Sequence, residues 1–400
     1  MGLLSVEEAL GKLLFGAAPS GVETVSISEC ADRVLAEPLK ALRTHPPFPA
    51  SAMDGYAVHA ADLSPGAKLA VIGTAPAGAP FEGGIRTGQA VRIFTGAPVP
   101  DGADTILIQE NAKRLDERTI EVLETVSAGR HIRRAGLDFV EGDTLLDRGR
   151  VLDAAALSLA AAANHGSLRV FRRPLVAIIA TGDELLPPGS ELGPGQIVAS
   201  NSYGTAAIAR AAGAAVLDLG IVPDRHDEIA ARVEQAQAAK ADIVVTLGGA
   251  SVGDHDLVNQ VLTAQGMTLE FWRIAMRPGK PLMFGRLGRT SIMGLPGNPV
   301  SSLICAHIFL KPLVAKLAGR PADADIREAV LGSAMADNDQ RQDYVRASVS
   351  SGPGGLVASP FSAQDSSMLR VLADANGLII RPPGAPAAPA GTIVPVLMLR

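Results

Sequence analysis

The stretch Thr246–Asp256, TLGGASVGDHD, follows the apolar run ADIVV and joins three glycines to acids at its far end. Glycines let backbone N–H groups approach an anion closely, so Gly248, Gly249, Ser251 and Gly253 form a candidate phosphate cradle. A terminal acid such as Asp256 would repel that anion unless a cation bridges them, and Mg²⁺ favours carboxylate and phosphate oxygens together. Lysine and then Ser or Thr do not follow the last glycine, so the loop is not a Walker A motif. The plainer alternative is Asp256 acting as a helix N-cap.

Three further loops have chemistry-bearing residues. TGDELLPPGSELGPGQIVASN sets Asp183 and Glu184 just after an apolar strand and ends at Asn201 and Ser202, although a surface loop with solvated acids has the same look. RIAMRPGKPLMFG gathers Arg273, Arg277 and Lys280 around a Pro-Gly turn, a cluster suited to an oxyanion or pyrophosphate, or else a solvated basic turn. GLPGNPVSS places Asn298 as N-cap and Pro299 at the first helical position, which would leave the amides of Val300, Ser301 and Ser302 open at the positive end of a helix, or simply start a helix well.

These loops need elements to hold them. From LVAIIAT onward the chain alternates apolar strands (AVLDLG, DIVVTL) with helices (SYGTAAIARAAGA, DRHDEIAARVEQAQAAK, LVNQVLTAQG), the rhythm of a parallel-rich sheet covered on both faces. Two more strands, MTLEFWRIAM and KPLMFG, precede SIMGL and the apolar helix PVSSLICAHIFLKPLVAKLAG. Ligands in such sheets sit beyond the carboxyl ends of the strands, where all four loops fall. Before this unit, short β-branched runs between glycines and prolines (YAVHA, KLAVIGTA, QAVRIFTG, DTILIQE, TIEVLETV) predict a β-rich module. After it, QDYVRASVS, GLVASPF, GLIIRP and TIVPVLML predict a small terminal β-domain.

Composition limits the function. Hydrophobic residues make up 47% and charged residues 19%, which suits folded domains with sizeable cores. A net charge of −5 argues against a protein that coats nucleic acid. Two distant cysteines, Cys30 and Cys305, supply neither a disulfide framework nor a zinc site, and a reducing cytoplasmic setting is expected. The seven histidines show no HExxH or paired metal spacing. The first residues, MGLLSVEEALGKLLFG, read as an amphipathic helix with Glu7 and Glu8 where a signal peptide would be basic, and no membrane segment is expected.

Taken in order, PFPASAMDGYAV (47–58), IFTGAPVPDGADTILIQE (93–110), TGDEL (181–185), GGASVGDHD (248–256), RPGKP (277–281) and GLPGNPVSS (294–302) resemble the molybdopterin molybdenumtransferases, the molybdenum-insertion enzymes related to the E domain of gephyrin. The resemblance implies a multidomain α/β protein with four parts. These are a discontinuous linker domain (1–44 and 141–172), a β-rich insertion domain (45–140), an α/β molybdopterin- and nucleotide-binding domain (173–320) and a C-terminal β-barrel (321–400). It implies adenylyl-molybdopterin and molybdate as substrates, Mg²⁺ as cofactor, and AMP and molybdenum cofactor as products. A homodimer with the active site shared between subunits is implied too.

Carried over by position, Asp54 and Thr95 match insertion-domain residues that face the cleft, and Asp138 matches an acid on the segment returning from it. Glu184, Asp224 and Asp256 match acids of the α/β domain and are the expected metal ligands. Gly248, Gly249, Ser251, Gly253, Lys280, Pro296, Gly297, Asn298, Pro299 and Ser301 are the expected substrate contacts. Arg273 and Arg277 stand where better-known members carry lysine, which replaces a point donor by a planar fork. The expected partners are small molecules, with a molybdopterin adenylyltransferase and molybdoenzyme-maturation factors as candidates, and no nucleic acid or membrane. The alternatives are the adenylylating step itself and a non-catalytic scaffold of the gephyrin type.

Overall fold

The structure is a computed structural model and describes residues 3–248, 257–352 and 354–400. Chain contacts divide it into two compact units. One comprises Thr24–Ala31 and Leu35–Arg169; the other comprises the stretch ending at Glu23, Asp32–Val34 and Val170–Arg400.

The first unit is built on a six-stranded sheet. Its strands are β1 (Gly55–Val58), β2 (Lys68–Ala75), β3 (Gln89–Ile93), β4 (Thr105–Ile108), β5 (Ala112–Arg114) and β6 (Thr119–Val122), in the order β4-β1-β3-β2-β6-β5. Its two faces bury separate cores, Val58, Leu69, Leu107 and Ile120 on one and Ala57, Val91, Ile93 and Ile106 on the other. This is the expected β-rich module, with β5 an added short strand. At the head of β1, a Cβ on Gly55 would lie 2.1 Å from the Leu107 carbonyl oxygen. Glycine is therefore required where the chain leaves Asp54 and enters the sheet. Helix α1 (Ala154–Ala162) closes the unit, capped by Asp153, whose carboxylate accepts from the Ala156 amide at 2.8 Å.

In the second unit the alternation of strands and helices is as the sequence predicts. Strands β7 (Leu175–Thr181), β8 (Ala215–Val222), β9 (Ile243–Leu247), β10 (Thr268–Arg273), β11 (Pro281–Leu287) and β12 (Thr290–Leu295) lie in the order β8-β7-β9-β12-β11-β10. The first four in that order are parallel, and β11 and β10 extend the sheet as antiparallel edge strands. Successive residues of β7 bury on opposite faces: Val176 and Ile178 join one core, Ala177 and Ile179 the other. A run without polar alternation is thus the signature of a strand covered on both sides.

Helix α2 (Asn201–Ala211) covers the first face, and α3 (His226–Ala238) and α4 (Leu257–Ala264) cover the second. The chain leaves β7 to one side for β8 and returns past it to β9. The carboxyl ends of β7 and β9 therefore flank a topological switch point, the place where ligands bind in open sheets of this kind.

The long apolar helix α5 (Pro299–Leu317) packs under the first face. Its length and apolar character would also suit a membrane span, but 67% of its most apolar window is buried within the fold, the mark of a core helix. Residues Ala306–Leu310 form a π-helical turn, with the Lys311 amide bonding the Ala306 carbonyl. Pro312 explains it: the ring offers no N–H and clashes with the carbonyl four residues back, so the helix widens there.

The C-terminal strands β13 (Ile326–Leu331), β14 (Gln342–Gly352), β15 (Gly355–Pro360), β16 (Gly377–Arg381) and β17 (Ile393–Met398) close on themselves, since β14 pairs with both β15 and β16. The predicted β-barrel is present. Val345, Ala347 and Val349 of β14 fill its interior, which turns Tyr344 and Arg346 outward.

Candidate active site

In the first unit, the pair the sequence singled out is joined. The Thr95 amide and hydroxyl donate to the same Asp54 oxygen, Oδ1, at 2.8 and 2.9 Å. These bonds, the amide first, and then the Arg92 guanidinium hold the Asp54 carboxyl below the usual carboxylate range. Oδ2 has no partner among the described residues and is left as an ionised acceptor. The loops bearing the pair are laced by backbone bonds, Gly96 to the Ser51 carbonyl and Ala52 to the His131 carbonyl, both 2.8 Å. Asp138 lies farther along the same returning segment, exposed, with its amide bonded to His45. No hydrogen bond links its carboxylate to Asp54.

In the second unit, three predicted loops meet at the switch point. Gly248, directly after β9, has φ +95°, and a Cβ there would lie 2.6 Å from the Thr181 carbonyl oxygen at the end of β7. Gly297 sits beside it, since its own added Cβ would fall 3.9 Å from the Gly248 Cα. The Asn201 side chain donates to the Gly297 carbonyl at 2.8 Å, so this residue ties the loop after β12 to the start of α2 instead of capping that helix. Gly249, Ser251, Gly253 and Asp256 lie outside the described residues.

This contact yields a prediction. Gly248→Ala is expected to lower stability by about 1–3 kcal/mol through backbone strain and to reduce turnover sharply, since the Thr181 carbonyl cannot yield without moving β7. Gly288→Ala, at φ +60° in open space, should show the conformational cost alone. Denaturant titration of both variants beside an activity assay checks this; equal effects would mean that the close approach is unimportant.

The acids gather near the same edge. The Asp224 amide donates to Asp183 Oδ1 at 3.1 Å, and the Glu184 carboxylate folds back over Gly182. Partial loss of water, and then the charges of Asp183 and Glu184, push the Asp224 carboxyl above its usual range. Among the described residues no three such groups converge closely enough to cage a metal. Mg²⁺ needs no such cage, because it is commonly held by one or two carboxylates plus substrate phosphate oxygens. Surplus negative charge at Asp224 beside a phosphate-suited loop fits that mode.

The basic loop divides. Arg273, at the end of β10, lines a groove with Glu8, Lys12 and Glu270, whereas Arg277 lines a separate cavity of about 550 Å³ against the barrel. Lys280 is exposed and lines neither. The three cations expected together do not share one pocket, because β10 and the turn that follows it aim their side chains apart. Nor is Arg277 free for an anion: its Nε donates to Asp343 at 3.1 Å and its Nη1 to Asp339 at 3.4 Å, which raises its pKa further.

Two arginines that the sequence reading missed line the same cavity, Arg346 at 1% and Arg381 at 5% exposure. Arg346 Nε bonds Gln364 Oε1 at 3.0 Å and Nη1 bonds the Asp365 carbonyl at 2.8 Å, while Nη2 has no partner among the described residues. The available signal was an arginine set between Val345 and Ala347 in β14, since buried charge is rare without a purpose. The loop that covers it reaches the fourth predicted site: the Ser366 carbonyl accepts from the Val300 amide at 3.0 Å. The start of α5 is therefore not the open anion site expected from GLPGNPVSS; Val300 is spent on the barrel loop, and Ser302 bonds Asn298. Pro296 is buried, Gly297 and Asn298 are exposed, Pro299 is half-buried and Ser301 is buried.

Comparison with known proteins agrees along the whole length. Residues 4–164 match the model of the MoeA N-terminal region (domain I and II), residues 177–316 the probable molybdopterin binding domain, and residues 328–399 the MoeA C-terminal region (domain IV). The molybdopterin molybdenumtransferase of Haemophilus influenzae is 37% identical over 319 residues, 80% of this chain and 78% of that one. That of Bacillus subtilis is 33% identical over 406 residues, 99% of this chain and 94% of its own. A crystal structure of a molybdopterin biosynthesis protein from Pyrococcus horikoshii superposes with a TM-score of 0.81 at 27% identity, covering 99% of this chain and 100% of the other. With the models matched in order and such relatives across nearly every residue, the chain belongs to the molybdopterin molybdenumtransferase family.

Proposed function

We propose that this transferase takes adenylyl-molybdopterin and molybdate, in the presence of Mg²⁺, and releases AMP and molybdenum cofactor. The observation that carries the reading is the meeting of backbone-bare Gly248 and Gly297 at the carboxyl edge of the sheet, with Asp183, Glu184 and Asp224 on the loops after β7 and β8. An arrangement of that kind suits a phosphate-bearing ligand together with a divalent cation.

In the mechanism, the glycine loop and Asn298 hold the phosphates, and Asn201 fixes the loop that presents Gly297. Glu184, Asp224 and Asp256 are the residues that would hold Mg²⁺. Bound there, the ion would offset charge on the pyrophosphate as AMP departs. Arg346, a buried arginine of the cavity against the barrel, supplies a donor for molybdate, and Arg277 stays paired with its acids. Asp54 carries a free oxygen that would act as a hydrogen-bond or proton acceptor in the reaction, a role that rests on the family. No covalent nucleophile is needed, only positioning and electrostatics.

The remaining parts of the reading rest on the family. They are a four-domain division at 1–44 with 141–172, 45–140, 173–320 and 321–400, and a cytoplasmic homodimer that shares its active site between subunits.

The test is to incubate the purified protein with adenylyl-molybdopterin, Mg²⁺ and molybdate and to follow AMP and active cofactor together. Appearance of both, each dependent on molybdate and neither consuming ATP, is the expected result. Binding without AMP release would reject catalysis and favour a scaffold; consumption of ATP would favour adenylylation.

A further inference from the structure

The Asp54–Thr95 pair sits at a strand entry and a loop, Asp54 half-buried and Thr95 exposed, and such positions wander unless something fixes them. Asp54 precedes β1 and Thr95 follows β3, and in the register of the sheet Arg92 on β3 lies opposite Tyr56 on β1. The Arg92 guanidinium carbon stands 5.1 Å from the centroid of the Tyr56 ring and 5.0 Å from that of Phe94. Its Nη1 donates to the Gly55 carbonyl at 3.2 Å and its Nη2 to Gln109 Oε1 at 2.7 Å. The Gln109 amide in turn donates to the Asp54 carbonyl at 3.1 Å. One planar group thus grips the residue after Asp54, the residue that bonds the Asp54 backbone, and the ring next to Thr95.

We propose that Arg92 is the positioning residue of the Asp54–Thr95 pair, setting the direction of the free Asp54 oxygen without touching substrate. The inference rests on the reading of Asp54 as part of the reaction. Lysine cannot replace it, because a point charge cannot reach both acceptors while filling the slot between two rings.

The test compares AMP release by wild type, Arg92→Lys, Arg92→Gln, Gln109→Ala and Asp54→Asn, with active sites titrated so that turnover is per folded site. Arg92→Lys is expected to lower kcat about 10–100-fold, the scale of a small misplacement of a reacting group, with the KM for molybdate within about threefold. Gln109→Ala should lower kcat in the same direction, and the double variant Arg92→Lys/Gln109→Ala should be no worse than Arg92→Lys alone, as for two parts of one link. An inactive Asp54→Asn beside Arg92→Lys and Arg92→Gln enzymes with wild-type kcat would overturn the inference and leave the role of Asp54 standing. A loss confined to melting temperature or to the number of active sites would overturn it too, as would a rise in KM at unchanged kcat. Full turnover by Asp54→Asn would instead remove the reading on which it rests.

Discussion

Arg346→Lys is expected to raise the molybdate concentration for half-maximal AMP release about 10–150-fold, the equivalent of losing one charge-assisted hydrogen bond worth about 1.5–3 kcal/mol. The guanidinium spends Nε on Gln364 and Nη1 on the Asp365 carbonyl, leaves Nη2 without a partner among the described residues, and belongs to a residue that lines one cavity with Arg277 and Arg381. Asp343 and Asp339 already occupy Arg277, whereas among the described residues Arg346 and Arg381 are buried cations that each keep a guanidinium nitrogen without a partner. A lysine at 346 retains the charge but has no fork with which to hold the loop and an oxyanion together. Gln364→Ala loosens the same loop while leaving Nη2 in place, and should change the molybdate requirement far less. Equal effects of the two variants would mean that Arg346 only braces the loop.

Asp224→Asn is expected to make the protein more stable at neutral pH and a poorer catalyst. Asp224 has a folded-state pKa above its ordinary value, through lost hydration and then through Asp183 and Glu184. A group of that kind favours folding fully below its unfolded pKa, and the contribution is lost as pH rises through the folded pKa. At pH 7 the wild type therefore folds against this clash of carboxylates, and asparagine relieves it. The gain in melting temperature should shrink as pH falls into the carboxylate range, where aspartic acid is itself neutral. Over the same comparison, the Mg²⁺ needed for half-maximal AMP release should rise about 10–100-fold, as for loss of a metal-supporting group. Melting curves at pH 7 and pH 4 and a Mg²⁺ titration decide it. A variant with unaltered stability at both pH values, or an unaltered Mg²⁺ requirement, would mean that Asp224 is a solvated surface acid.

Most elements were legible because each carries its own local signal. The run KLAVIGTA is β2 residue for residue, and the alternation of apolar strands with helices marked the parallel sheet. Gly248 was recognisable as bare backbone, and structure supplies the reason: the Thr181 carbonyl leaves no room there. The π-turn in α5 was also latent in the sequence, since Pro312 forbids regular geometry behind it. Other residues were misjudged because their neighbours are remote in sequence. Arg277 looks like a free cation until Asp339 and Asp343 close on it from the barrel, and Val300 looks like an open amide until Ser366 arrives. Arg346 points outward from its strand, which in isolation means solvent; the loop carrying Gln364 and Asp365 turns that outer face into an interior one.

By itself, then, the sequence determined which elements form, which loops fall at the carboxyl edge of the sheet, and, through an ordered series of motifs, the family. The first two follow from periodicity, turn chemistry and backbone permissiveness, all properties of short stretches, and the third from the resemblance that the motif series carries. Only the tertiary structure decided which charges are spent and which remain available. Neutralisation and burial depend on groups brought together from as far apart as Arg277 and Asp343, and a local pattern has no term for a partner that arrives across the fold.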